Sequence, residues 1–106
     1  MTASLTVLID AHNVIHQDPA LRALMRDPEI ARRELERRLE GRGDCILFYD
    51  GGPGGVPDSR IRAGIRVEYA GSEEADDLIV RWLRAHPGRR HAVVSDDRSL
   101  RARCRA

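Results

Sequence analysis

The sequence predicts an α/β fold with a central parallel sheet and helices on both faces. Short apolar, β-branched runs alternate with segments of helical periodicity, which is the pattern of such folds. An acidic residue directly follows three of the four runs, as at a site formed beyond the carboxyl ends of parallel strands. The 106 residues, 42% hydrophobic and 33% charged, suit one globular unit, so we predict a single domain over residues 1–106.

Four apolar runs predict the strands. They are Ser4 to Ile9, Cys45 to Tyr49, Ile65 to Tyr69 and His91 to Ser95. Runs of this kind are typical of strands buried on both faces of a parallel sheet. Asp10, Asp50 and Asp96 follow the first, second and fourth runs. We therefore expect these three carboxylates at one edge of the sheet.

The segments between the strands predict helices and one long loop. The helical segments are Pro19 to Arg26, Asp27 to Gly41, the stretch after Ser72, which we interpret as an N-cap, and the stretch from Ser99. Asp27 followed by Pro28 is a common start of a helix. The segment Gly51 to Ser59 contains four Gly and two Pro, so it is predicted to be a loop.

The strand-end acids predict a cation site. A single Asp after a strand is common in turns and helix caps, but three at one edge would repel each other. A bound divalent cation removes that repulsion. Hard oxygen ligands, without a Cys or His cluster, favour Mg²⁺ or Mn²⁺ over zinc.

The helix after Ser72 adds further acids, which helical phase separates. Its buried stripe is predicted to contain Ala75, Leu78, Ile79, Trp82 and Leu83. Asp76 lies at the edge of this stripe and is the candidate to reach the site, whereas Asp77 lies almost opposite and should face solvent. The simpler interpretation of Glu73, Glu74 and Asp77 is that they complement the helix dipole.

Five other residues near the strand ends have alternative interpretations. We favour Asp96 as a metal ligand and Asp97 as a helix cap or outer ligand. Asn13 would either cap a helix or orient a phosphate, and we favour the site role. His12 and His16 have the spacing i, i+4, but the segment around Asn13 is predicted to be a turn, so we do not expect a metal pair there.

The charge distribution suits a polyanionic partner. Residues 1–80 carry 10 Arg against 15 acids, a net charge of −5, and residues 81–106 carry 8 Arg against 2 acids, a net charge of +6. The candidate nucleic-acid-binding residues are Arg98, Arg101 and Arg105 on one face of the last helix, with Arg60 and Arg62 after the glycine-rich loop. The alternative is a solvated arginine-rich surface.

Composition excludes several classes of protein. All 18 basic residues are Arg, so lysine chemistry such as a P-loop or a Schiff base is excluded. The sequence has no apolar stretch approaching the about 18 residues of a membrane span and no basic segment typical of a secretory signal. We therefore expect a cytoplasmic protein that does not bind membranes. Cys45 and Cys104 lack zinc-site spacing and are predicted to be reduced thiols.

Four segments together resemble one known family. They are LIDAHNVIH (8–16), CILFYDG (45–51), GSEEADDLIVRWL (71–83) and VVSDDRSL (93–100). In order and approximate spacing they resemble the motifs of NYN domains in the PIN-like nuclease superfamily, and the chain looks most like the YacP-like branch of bacterial ribonucleases. The resemblance implies a PIN-like three-layer α/β/α sandwich and Mg²⁺- or Mn²⁺-dependent cleavage of RNA.

The resemblance also implies roles for single residues. Asp10, Asp76 and Asp96 fall on the core acids of the family, Asn13 falls on its polar partner, and Asp50 and Asp97 fall on positions that are acidic in some members. Such domains continue through a full fourth helix and a fifth strand, in the sheet order 3-2-1-4-5, whereas this chain ends at Ala106. We therefore expect a sheet that lacks its final edge strand, in a chain that is truncated or completes its sheet as a homodimer.

These observations predict a metal-dependent ribonuclease that acts as an endonuclease. Its expected partner is RNA, and association with the ribosome is one way in which it could meet that RNA. Asp10, Asp76 and Asp96 would be ligands, Asp50 or Asp97 would act as an outer ligand or orient water, and Asn13 would position the phosphate. Three alternatives remain: a PIN-like nuclease acting on DNA, a non-catalytic RNA- or ribosome-binding module, and a metal-dependent phosphatase. The chain is short for the additions of DNA flap nucleases, and a pure binder gains nothing from repelling carboxylates.

Overall fold

The computed structural model describes residues 5–105, so the predicted strand start at Ser4 lies outside the described residues. The strands are β1 (Thr6–Asp10), β2 (Cys45–Tyr49), β3 (Asp58–Arg62), β4 (Ile65–Tyr69) and β5 (His91–Val94). The helices are α1 (Ala11–Gln17), α2 (Pro19–Arg22), α3 (Pro28–Arg38), α4 (Ala75–Ala85) and α5 (Arg98–Arg105). None of the helices in this range is long and apolar enough to cross a bilayer.

The five strands form one sheet in the order β3-β4-β2-β1-β5. The four predicted strands are parallel and adjacent in the predicted order, and β5 forms one edge. β3 pairs antiparallel with β4 at the other edge. The prediction of an α/β fold with a central, mostly parallel sheet is therefore confirmed.

Helices cover both faces of the sheet because alternate side chains of the central strands point to opposite sides. In β2, Leu47 and Tyr49 pack in a core with α1, α2 and α3, whereas Ile46 and Phe48 pack in a second core with α4 and α5. All five residues of β2 are buried. This double burial explains the continuous apolar runs and gives the three-layer, PIN-like arrangement.

β3 corrects the predicted loop, which was expected to extend to Ser59. The strand is polar (DSRIR) and largely exposed, so it has no apolar run that would reveal it. Ala63 and Gly64, with φ values of 51° and 74°, form the two-residue turn of a β-hairpin that joins β3 to β4. The charged side chains of β3 also protect this sheet edge from pairing with other chains.

The structure corrects two of the predicted helix features and confirms a third. The predicted turn around Asn13 is wrong, because the regular helix α1 begins at Ala11, directly after β1. The helix predicted over Pro19 to Arg26 is shorter and ends at Arg22. The predicted start of α3 is confirmed, because Asp27 Oδ1 accepts the Glu29 backbone N–H at 3.1 Å and Pro28 is the first helical residue.

Candidate active site

A depression of about 490 Å³ lies at the edge of the sheet where β1 and β2 end, and we call it the acidic depression. Its acidic lining residues are Asp10, Asp50, Glu73, Glu74, Asp76 and Asp97. His12, Asn13 and His16 from α1 also line it. Among the described residues, no arginine contributes to this lining. The strand ends, the start of α4 and the turn after β5 thus gather six carboxylates in a wall to which no arginine in the described range contributes.

Asp10, the last residue of β1, is the most buried of these acids, with 9% of its surface exposed. The Ser95 hydroxyl donates a hydrogen bond to Asp10 Oδ2 at 3.1 Å. Burial is the largest cause that raises the pKa of the Asp10 carboxyl, and the nearby charges of Asp50 and Asp76 raise it further. The Ser95 hydroxyl and the Asn13 backbone offset part of this increase. The protein therefore destabilises a negative charge at the centre of its acidic depression.

Asp50, directly after β2, holds the beginning of α4 through a hydrogen bond. Its Oδ1 accepts the backbone N–H of Ala75 at 2.7 Å, so it satisfies one of the free donors of the helix. The prediction that Ser72 is the N-cap of this helix is wrong. The N-cap position belongs to Glu74, whose side chain makes no capping bond. This contact between distant segments fixes the start of α4, and with it Asp76, against the edge of the sheet.

The acids at the start of α4 lie close together. Carboxylate oxygens of Glu74, Asp76 and Asp77 all lie within 4.8 Å of one another. The charge of Asp76 is the largest cause that raises the pKa of the Glu74 carboxyl, followed by their hydrogen bond and the charge of Asp77. Glu73 differs, because the Arg81 guanidinium donates to both its oxygens at 2.7 and 2.8 Å. Helix-dipole reasoning had explained Glu73 and Glu74, but it did not place them in the acidic depression.

Asp76 is less exposed than Asp77, in the direction that helical phase predicts, but Asp77 is half-buried and paired with Arg103 rather than simply facing solvent. The Asp76 side chain is 21% exposed and lines the acidic depression, whereas that of Asp77 is 44% exposed and does not line it. Arg103 Nη2 lies 2.9 Å from Asp77 Oδ1, and its Nη1 lies 3.6 Å from Asp76 Oδ2. Asp77 is therefore paired with α5, while Asp76 faces the other acids. Val80 is also buried, so the apolar face of α4 is wider than predicted.

Asp96 and Asp97 lie in different places, although they are adjacent. Asp97 lines the acidic depression, and its Oδ1 accepts the Leu100 N–H at 3.0 Å, which is the predicted cap. Asp96 lines a neighbouring depression with Asn13. Asn13 Oδ1 accepts the Asp96 backbone N–H at 2.9 Å and so holds the turn after β5 against α1. The structure thus brings Asp97 into the acid cluster and places Asp96 beside it.

Ser95 is a site residue that sequence reasoning missed. Its hydroxyl oxygen accepts the Asp97 backbone N–H at 3.1 Å while the same hydroxyl donates to Asp10. Ser95 is 9% exposed and directly precedes the two acids, which was the available signal. It couples the position of the Asp10 carboxylate to the turn that carries Asp97.

The predicted arginines occupy two different environments. Arg62 donates to both oxygens of Glu36 at 2.9 and 3.0 Å and to the Tyr69 hydroxyl at 2.6 Å, so it belongs to an internal network. Arg60 Nε donates to Asp58 Oδ2 at 2.7 Å. The residues Arg98, Arg101 and Arg105 are all exposed on α5.

The donor set fits a hard divalent cation. Asp10 at the end of β1, Asp50 directly after β2 and Asp76 on α4 all line the acidic depression with carboxylates, and no cysteine lines it among the described residues. His12 and His16 also line the acidic depression. They lie on a regular helix over residues 11–17, so the predicted turn no longer argues against a role for them as metal ligands. Carboxylates nonetheless dominate the wall.

Comparison with known protein families agrees with this geometry. The family model described as "YacP-like NYN domain" matches residues 7–105. Comparisons with curated proteins and with solved structures give no significant match. The NYN domain has a nuclease-type, PIN-like fold, which agrees with the three layers and the mostly parallel sheet. Since the match spans almost the whole chain, this protein belongs to the YacP-like NYN domain family.

Proposed function

We propose that this protein is a metal-dependent endoribonuclease that hydrolyses phosphodiester bonds of RNA at the acidic depression. The observation that carries the proposal is the environment of Asp10. Asp10 is 9% exposed, it lines the acidic depression together with Asp50 and Asp76, whose charges raise its pKa, and within residues 5–105 no arginine or histidine forms an ion pair with it. A buried charge of this kind is costly without a compensating cation.

Mg²⁺ or Mn²⁺ bound here would activate water and stabilise the charge that develops on the scissile phosphate. Asp10, Asp50 and Asp76 would hold the ion. Asp97 faces the same acidic depression, so we assign the further acidic position to Asp97 rather than to the expected Asp96. This assignment follows from the turn geometry that Ser95 imposes.

The surrounding residues of the chain would keep the ligands in place. Ser95 orients the Asp10 carboxylate through its hydroxyl, and Asp50 fixes the start of α4 through the Ala75 N–H. Asn13 lines the acidic depression and also accepts the backbone N–H of Asp96 after β5, so we assign it both the positioning of a phosphate and the support of the turn. Such support from neighbouring hydrogen bonds is typical of metal ligands.

A cleavage assay tests the proposal. Wild-type protein should cut single-stranded RNA in the presence of Mg²⁺ or Mn²⁺, and EDTA should stop the reaction. Single-stranded DNA of the same sequence serves as the comparison substrate. Cleavage of DNA but not of RNA would favour the DNA nuclease. Tight binding of RNA without cleavage under any metal condition would favour the non-catalytic module. Either result would overturn the proposal.

A further inference from the structure

We propose that the RNA strand reaches the acidic depression through a larger depression beside it, between α3 and β3. This inference rests on the proposed ribonuclease function, because it assigns the path of the substrate to that site. The depression has a volume of about 720 Å³, and we call it the arginine cleft. Its basic lining residues are Arg32 and Arg33 on α3 and Arg60 and Arg62 on β3.

The arginine cleft is continuous with the acidic depression. His12 and Asp50 line both of them. A strand whose scissile phosphate lies at Asp10, Asp50 and Asp76 therefore passes His12 before it reaches the arginines. The two depressions form one path along the carboxyl edge of the sheet and over its α3 side.

The charge changes along this path in the way a metal-dependent nuclease needs. Six carboxylates line the acidic depression, whereas four guanidinium groups and three carboxylates line the arginine cleft. A phosphate over the acids requires a bound cation, while the neighbouring phosphates can be held by arginine alone. Arginine thus enters the lining where the acid cluster ends.

At least two of the arginines can exchange their present partners for phosphate. Arg33 pairs with Glu29 and Arg60 pairs with Asp58, and all four side chains are at least 34% exposed. Exposed pairs of this kind contribute little to stability, so a phosphate can replace the carboxylate at small cost. Arg62 is different, because its two bonds to Glu36 and its bond to Tyr69 hold it in the floor of the cleft.

The floor of the arginine cleft is rigid and offers no open aromatic surface. Tyr69 is 4% exposed, stacks on Tyr49 with ring centroids 5.6 Å apart, and lies under the guanidinium groups of Arg60 and Arg62. A Cβ on Gly52 would lie 2.6 Å from Tyr69 Cβ, so the glycine lets the loop lie directly on the ring. Because the ring is covered, the cleft is suited to hold the phosphate backbone rather than to stack bases.

Two double variants test the proposal with matched changes. Arg33→Gln with Arg60→Gln removes two exposed arginines of the cleft. Arg37→Gln with Arg42→Gln removes two exposed arginines that do not line it. In both variants each substitution removes one ion pair between an exposed arginine and an acid that lies two to four residues away in the chain. Equal melting temperatures would show that the two variants are equally folded.

The measurement is the affinity for a single-stranded RNA in EDTA, where the proposed function predicts no cleavage, as a function of salt concentration. Each phosphate contact contributes a slope of about −0.7 in a plot of log affinity against log salt, so the cleft variant should flatten the slope by about 1.4. The control variant should keep the wild-type slope. An unchanged slope in the cleft variant, or an equal change in both variants, would overturn the proposal.

A third variant tests the competing surface. Arg98→Gln, Arg101→Gln and Arg105→Gln together remove the exposed arginines of α5, which packs on the opposite face of the sheet from α3. If this variant alone flattened the slope, the strand would lie on α5 and the cleft proposal would be wrong. Failure of the ribonuclease proposal would look different, because wild-type protein would then bind RNA without cutting it in any metal.

Discussion

Two buried carboxylates with opposite surroundings distinguish the two sides of this molecule. Glu36 on α3 is 8% exposed and Asp10 at the end of β1 is 9% exposed. Glu36 accepts two hydrogen bonds from Arg62 and one from the Tyr49 hydroxyl at 2.9 Å. Asp10 accepts the Ser95 hydroxyl, and its neighbours are other acids.

The difference shows that burial alone does not define a functional acid. The charge of Glu36 is matched within the chain, so this carboxylate ties α3 to β2 and β3 and holds the floor of the arginine cleft. The charge of Asp10 is not matched within residues 5–105, so its stabilisation has to come from outside the polypeptide. Changes at these two positions should therefore have opposite effects.

The largest expected effect is the loss of activity in Asp10→Asn. Losing one preorganised hydrogen-bond donor of a catalytic site lowers the rate by roughly 10²–10³-fold, and we expect at least this loss of RNA cleavage when a ligand of the proposed cation is removed. Asp44→Asn is the matched control, because Asp44 directly precedes β2 and its side chain is 42% exposed. Near-wild-type cleavage by Asp10→Asn would show that the reacting phosphate lies elsewhere.

A smaller effect is expected from the neighbouring acids of α4. Asp76→Asn should lower cleavage by at least about 10–100-fold, because Asp76 lines the acidic depression with Asp10 and Asp50 and the loss of even a neighbour of a metal ligand costs this much. Asp77→Asn should lower it by clearly less, since its carboxylate pairs with Arg103 outside the acidic depression. Cleavage rates under saturating metal compare the two variants. Equal losses would contradict the division of roles.

Glu36→Gln should lower the free energy of unfolding, whereas Asp10→Asn should raise it. Glu36→Gln leaves Arg62 without its carboxylate partner, and losing charged hydrogen bonds of this kind costs roughly 2–3 kcal/mol in the free energy of unfolding. Denaturant unfolding at neutral pH without metal measures it. Asp10→Asn should instead be more stable than wild type under the same conditions. A loss of stability in both variants would remove the contrast.

The contrast between the two acids was only partly predictable from the sequence. The parallel strands and the acids that follow them could be predicted, because apolar runs and strand-end residues are local signals. The Arg62–Glu36 pair spans 26 residues, and the contact from Asp50 to Ala75 spans 25, so no local pattern reveals them. The sequence favoured Asp96 over Asp97 as the ligand, whereas Asp97 lines the acidic depression and Asp96 lines the neighbouring one, because Ser95 and the distant Asn13 shape their turn.

The stability contrast should also depend on pH. Burial and neighbouring acids raise the pKa of Asp10 above its ordinary value of 3.8, so the folded protein binds this proton more tightly than the unfolded chain. The contribution of Asp10 to stability therefore falls as pH rises from 3.8 through the raised pKa, and Asp10→Asn removes this fall. The stability advantage of the variant should grow over that interval and then level off.

Urea unfolding of both proteins between pH 3.5 and 8, without metal, measures this difference. The hydrogen bond from Arg37 lowers the pKa of Glu34 from 4.5 to about 2, so the stabilising contribution of Glu34 is lost progressively as pH falls from 4.5 through about 2. Since Glu34 is present in both proteins, its effect cancels in the comparison. A difference that stayed constant with pH would mean that Asp10 has an ordinary pKa.

The most direct test of the central claim is the thermal unfolding of wild-type and Asp10→Asn proteins with and without Mn²⁺ or Mg²⁺. If the acidic depression holds a cation, the metal should stabilise wild-type protein by about 2.7 kcal/mol at one hundred times the dissociation constant, seen as a higher melting temperature. Asp10→Asn should lose most of this gain. No metal-dependent shift in wild-type protein at millimolar concentrations, or the same shift in both proteins, would contradict the account.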